Sequence, residues 1–165
     1  MTRIIVCDTG PLLHLSEAGA IHLLSLAGQV LIPPLVAIEF EANTSGWHPP
    51  QWVRQVALRK PSQQKAEKWV KAKQIDAGEA EAVSLALQEQ AEWLLTDDAK
   101  ARQFAESLGL EVHGSIAILL WSVATGQIRE KATATQLLDN LANSSLWISD
   151  RVLQEAREAI DILFE

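Results

Sequence analysis

Short apolar runs with no polar interruption, set between helical patterns, constrain this chain more than any other feature. Ile4-Ile5-Val6-Cys7 shows no alternation of polar and apolar positions, so it suits a central parallel strand covered on both faces. Val30-Leu31-Ile32 and Trp93-Leu94-Leu95-Thr96 repeat the pattern, Glu111-Val112-His113 reads as a short strand, and residues 56–58 offer an edge strand. Helical stretches lie between them. One follows Asp8-Thr9-Gly10-Pro11, a second runs over 21–26 and stops at Gly28, and a third opens at Pro33-Pro34. Further helices are expected over about 62–73, 77–90 and from Asp97-Asp98 to Gly109. Strand and helix in alternation predict an α/β fold, a three-layer α/β/α sandwich around a mainly parallel sheet. In the third helix Leu35, Ile38 and Ala42 fall on one side, with Glu39 at its edge. In the helix over 77–90, Ala80, Val83, Ala86 and Leu87 form the inward side.

No linker or internal repeat divides the 165 residues, a length that suits one domain with a sizeable core. From about residue 114 the pattern is mainly helical. An apolar helix runs from Ser115 to a stop at Gly126, and Ser149-Asp150 caps a last helix over 151–164. The stretch Ile116-Ala117-Ile118-Leu119-Leu120-Trp121 reads as core, part of it a candidate homodimer face.

Five acids, Asp8, Glu39, Glu79, Asp97 and Asp98, stand at the ends of the strands or on the helices that follow. In open parallel sheets, ligands bind outside the carboxyl ends of the strands. Several carboxylates gathered there suit a hard divalent cation, Mg²⁺ or Mn²⁺, which takes oxygen donors. Each acid also has a structural reading. Asp97 or Asp98 can cap a helix, Asp76-Ala77-Gly78-Glu79 has the spacing of a capping box, Asp8 can close an Asx turn, and Glu39 can face water. Two independent caps, however, would have no need to converge where two strands run out.

The formal charge of −7 argues against a polyanionic partner, but its distribution does not. Between Gln51 and Ile75 seven lysines and arginines, Lys68 and Lys71 among them, face the single acid Glu67. That stretch reads either as a solvated helix face or as a basic rim for nucleic acid, with Trp47, Trp52 and Trp69 as platforms for unpaired bases or as plugs under loops. Cys7 is the one cysteine, so no intrachain disulfide forms. The N-terminal apolar run is too short for a signal peptide, and no run of about 18 apolar residues occurs. A cytoplasmic protein with no membrane partner is expected. His14, His22, His48 and His113 lack zinc-ligand spacing, and neither a nucleophile triad nor a phosphate-cradling glycine loop is present.

Four segments in order resemble the PIN-domain family. Ile4-Ile5-Val6-Cys7-Asp8-Thr9-Gly10-Pro11-Leu12 is similar to its opening strand with a terminal metal-binding aspartate. Ile32-Pro33-Pro34-Leu35-Val36-Ala37-Ile38-Glu39 resembles the proline-started helix that delivers a glutamate. Gly78-Glu79-Ala80-Glu81-Ala82-Val83-Ser84-Leu85-Ala86 resembles the helix headed by a third acid, and Leu94-Leu95-Thr96-Asp97-Asp98 the fourth segment. The third acid is often Asp in that family, whereas here Glu79 and Glu81 compete. Two positions apart on a helix they point in different directions, and the alanine-rich turn favours Glu79. Spacing from Thr96 favours Asp98 over Asp97.

The resemblance implies a Rossmann-like PIN fold and a Mg²⁺- or Mn²⁺-dependent ribonuclease acting on single-stranded or structured RNA. Asp8 and Asp98 would hold the ion with Glu39 and Glu79, and Asp97 would assist through water or a second cation. Thr9, Lys68 and Lys71 are the expected substrate contacts. Relatives akin to toxin nucleases also imply an antitoxin protein whose tail occupies the acidic groove. Two rivals stand beside this reading: a non-catalytic PIN-like nucleic-acid-binding module, and a phosphatase of the haloacid-dehalogenase type. The second would need an aspartate where this chain has Gly10.

Overall fold

The chain enters its sheet at the centre. In the computed structural model, which describes residues 2–44 and 50–165, β1 (Ile4–Cys7) pairs in parallel with β2 (Gln29–Ile32) on one side and β4 (Trp93–Leu95) on the other. β3 (Val53–Gln55) adds to β2 and β5 (Val112–His113) to β4, so the order is β3-β2-β1-β4-β5, all parallel. A strand flanked on both sides buries both of its faces, which is why Ile5, Val6 and Cys7 are inaccessible.

Alternate side chains of these strands feed two cores. Ile5, Cys7, Val30, Ile32 and Leu95 point into the larger one. It is covered by α1 (Thr9–Glu17), α2 (His22–Ala27), α3 (Pro34–Asn43), α7 (Ser115–Ala124), α8 (Lys131–Ala142) and α9 (Asp150–Leu163). Val6, Leu31 and Leu94 point the other way, under α4 (Lys60–Lys71), α5 (Ala77–Gln88) and α6 (Ala99–Ser107). The result is the three-layer sandwich expected from the alternating pattern. Leu138, Leu141 and Ile160 share a core with Ile5, so the C-terminal helices pack on the same sheet as the N-terminal ones. Among the described residues, no helix is long and apolar enough to cross a membrane.

Backbone contact is closest where α2 turns into β2. A Cβ on Gly28 would lie 2.4 Å from the Arg3 carbonyl oxygen, the same oxygen that accepts from Gln29 N at 2.8 Å. Only glycine lets the two segments meet there.

The structure corrects two expectations. The edge strand is Val53–Gln55, not residues 56–58. Val53 alone of its residues is buried, so an edge strand this polar leaves little apolar signal, whereas Val56 and Leu58 pack as loop residues on the second core. In α3 the buried side is Val36, Ala37 and Phe40, while Ile38 is 60% exposed and Ala42 lies outside. That helix is apolar nearly all round, so periodicity had no polar face to read against. Phe40→Ala should therefore cost roughly 3–5 kcal/mol and Ile38→Ala no more than about 0.5. Urea unfolding midpoints at unchanged slope measure both, and equal losses would contradict the assignment of faces.

Candidate active site

From β1 the sheet grows through β2 to β3, and from β4 it grows the opposite way to β5. The crevice at such a reversal is the usual binding place of open α/β sheets. Cys7 pairs with Leu95, so the residues that follow them leave the sheet side by side. Asp8 N donates to Leu95 O at 2.9 Å, continuing the ladder one step past the strand end.

Asp8 is 7% exposed and caps α1, its Oδ1 accepting from Thr9 N at 2.8 Å. Its Oδ2 accepts from the Thr96 hydroxyl at 3.1 Å, and that same hydroxyl oxygen accepts from Asp98 N at 3.3 Å. A hydroxyl both donates and accepts, so one threonine ties the first and fourth acidic segments together. Asp98 in turn caps α6, with Oδ2 accepting from Ala101 N at 2.8 Å. Glu39 arrives from α3 and is held by Thr9, whose hydroxyl donates to Oε2 at 2.6 Å. The first turn of α5 lies directly on it. A Cβ on Gly78 would sit 2.5 Å from both Glu39 carboxylate oxygens, so glycine is needed for this approach. Asp76 caps α5 through Glu79 N at 2.9 Å, one half of the expected capping box. Glu79 itself keeps Oε2 buried and without a hydrogen-bond partner.

Asp97 has a different situation. His14 Nδ1 lies 2.7 Å from its Oδ2, which also accepts from the Ser115 hydroxyl at 2.6 Å, while Oδ1 accepts from Ser115 N at 2.7 Å. Both oxygens are thereby engaged, and the residue joins α1, the end of β4 and the start of α7.

These side chains line one open cleft of about 510 Å³. Burial, only partly offset by bonds from Thr9 and Thr96 and reinforced by the charges of Asp76 and Glu39, pushes the Asp8 carboxyl up to about 6. Glu79 is also raised, first by burial, then by its bond to Asp76 and the charges of Asp76, Asp98 and Asp8. For Asp97 burial acts upward, but the bonds from His14 and Ser115 outweigh it and hold the carboxyl below its ordinary value.

Of the residues singled out in the sequence, Asp8, Thr9, Glu39, Glu79, Asp97 and Asp98 come together here. Glu81 does not: it lines a separate groove with Lys71, between α4 and α5. Lys68 is exposed on α4, and neither lysine lines the cleft. Trp52 packs on the larger core, Trp69 meets Phe104 edge to face at 5.1 Å, and Trp47 lies outside the described residues. Sequence reasoning gave no site role to Thr96, His14 or Trp147, all of which touch or line the site. Thr96 and His14 had a signal in hindsight, two residues before Asp98 and one helical turn after Gly10. Trp147 had none.

The donors suit a hard divalent cation: they are all carboxylates, one buried oxygen is orphaned, and two acids are raised by burial and by neighbouring carboxylates. Among the described residues no three Asp, Glu, His or Cys side chains close on a single point, so the acids form an open rim around the cleft. In comparisons with known proteins, a family model described as a PIN domain matches residues 4–161. No curated protein matches the chain.

The raised Asp8 carboxyl has a consequence for stability in the absence of metal. The folded state holds this proton up to about pH 6, against 3.8 for an ordinary aspartate, so stability falls as pH rises between the two values. The loss should be on the order of 2–3 kcal/mol and complete above the folded value. Asp8→Asn removes it, so in EDTA the variant should gain on the wild type between pH 4 and pH 7. Parallel stability curves for the two proteins in denaturant titrations would contradict this.

Proposed function

This chain belongs to the PIN-domain family, a nuclease fold, and from that premise we propose that it is a Mg²⁺- or Mn²⁺-dependent ribonuclease hydrolysing phosphodiester bonds of RNA. The observation that carries the reading is the meeting of four distant segments at one cleft. Thr96 links Asp8 to Asp98, Thr9 links Asp8 to Glu39, and Glu79 faces them with an oxygen that nothing satisfies. Asp8, Glu39, Glu79 and Asp98 would hold the ion. When bound, it neutralises the acids, withdraws charge from the phosphoryl oxygens and acidifies water.

The remaining residues position these four. Thr9, committed to Glu39, orients that acid rather than the substrate. Asp97, committed to His14 and Ser115, fixes the turn between β4 and α6, so that Asp98 is presented to the cleft. Lys68 and Lys71 act at a distance, as part of a basic stretch that attracts the polyanion toward an otherwise acidic protein. The same acidic cleft suits an antitoxin that silences the enzyme by inserting a basic side chain, and this supports reading the protein as the toxin of such a pair.

Purified protein incubated with labelled single-stranded RNA and Mn²⁺ should cleave it, and EDTA should stop the reaction. Asp8→Asn and Glu79→Gln should each lose more than roughly 100-fold, Thr96→Val roughly 10- to 100-fold as a residue that orients ligands, while Glu81→Gln stays near wild type. Equal cleavage by wild type and Asp8→Asn would assign the activity to a contaminant. No cleavage by either would leave the non-catalytic binding module.

A further inference from the structure

The cleft continues past the acids. Asp97, Ala99, Leu146 and Trp147 form a wall shared with a second groove of about 510 Å³, built from α6, α7 and the start of α9. The two are neighbouring compartments of one surface, and the second lies within the roughly 300–1,000 Å³ typical of small-ligand sites. Its lining differs from the first. Ile116, Leu120 and Val152 make it apolar, and Arg102 brings a cation. The guanidinium lies against Gly114, where a Cβ would sit 3.0 Å from a terminal nitrogen. Among the described residues that guanidinium has no ion-pair partner.

Trp147 stands at the junction and is 84% exposed, the most exposed large hydrophobic among the described residues. It is held there. Leu146 and Ile148 on either side pack on the larger core, Ser145 bonds to Glu17 through both its backbone N–H and its hydroxyl, and Ser149 caps α9. With the residues on both sides anchored, the backbone at Trp147 projects the indole outward and presents an open aromatic face, as a stacking platform requires.

We propose that Trp147 and Arg102 form a subsite for one unpaired nucleotide of single-stranded RNA, the base stacking on the indole and the adjoining phosphate meeting the guanidinium. The proposal rests on the reading of the neighbouring acids as the cleavage site: a strand whose scissile phosphate lies at Asp8 and Asp98 runs across the shared wall into this groove. Stacking on a π face tolerates any base, so the subsite selects for unpaired RNA rather than for sequence. Arg102 also supplies the positive charge that the acidic cleft lacks.

Fluorescence anisotropy of a dye-labelled single-stranded oligoribonucleotide in EDTA tests this apart from catalysis. Trp147→Ala should bind roughly 5- to 100-fold more weakly than wild type with an unchanged melting curve, Trp147→Phe should recover most of the affinity, and Arg102→Gln should bind more weakly with a shallower salt dependence. Replacing single nucleotides by abasic ones should weaken wild-type binding at one position and leave Trp147→Ala unaffected there. Equal affinity of wild type and Trp147→Ala, additive losses from the variant and the abasic position, or no RNA binding by wild type each overturn the proposal. A wild type that cleaves RNA with Mn²⁺ while Trp147→Ala binds normally removes the subsite and keeps the nuclease. Binding through Trp147 with no cleavage keeps the subsite and removes the nuclease.

Discussion

The pairing of β1 with β4 is the contact from which the site is built. With Cys7 opposite Leu95, Asp8 and the Thr96-Asp97-Asp98 turn emerge together, and the Thr96 hydroxyl converts that proximity into a bonded arrangement. A slip of one residue in this register would turn every β4 side chain to the opposite face, sending Leu94 into the wrong core and separating the two acidic segments. The apolar identity of Ile5, Cys7, Leu94 and Leu95 therefore does more than fill space: it holds the register that the polar residues need.

Local structure and chemistry use the same atoms here. Asp8, Asp76 and Asp98 cap α1, α5 and α6, each by accepting a backbone N–H in the first turn. A helix N-terminus carries about half a positive charge, so three of them at one cleft offset part of the repulsion among carboxylates. The offset is incomplete, as the raised Asp8 and Glu79 carboxyls show. For Asp8 and Asp98 the capping and metal-binding readings are thus compatible. A cap fixes the carboxylate's position, and a fixed position is what a shared cation requires.

Asp97 and Glu81 illustrate how neighbours in sequence divide their tasks. Asp97 differs from Asp98 by one position, yet it is the one clasped by His14 and Ser115, while Asp98 begins the next helix. Glu81 follows Glu79 by two positions on α5 and so turns into the groove beside α4. Lys68 and Lys71 stood out in the sequence through charge density alone, and charge density does not say which way a helix faces. The buried face of α3 is hidden from periodicity for a related reason: an apolar helix has no polar side to contrast with it.

What the sequence determined by itself was whatever is encoded in short-range pattern. Uninterrupted apolar runs specify buried parallel strands, and caps, prolines and glycines punctuate the helices between them, because both depend on neighbours within a few residues. Asp8, Glu39, Asp97 and Asp98 were legible for the same reason, since each sits at a strand end or on the helix directly after a strand, whereas Glu79, on the second helix after β3, was preferred to Glu81 through the family resemblance. What only the tertiary structure decided was adjacency across long separations: Thr96 between Asp8 and Asp98, Thr9 on Glu39, Gly78 against the Glu39 carboxylate, and Trp147 at the cleft. Those contacts exist because strand order and register bring remote segments to one edge of the sheet, and no local periodicity carries that information.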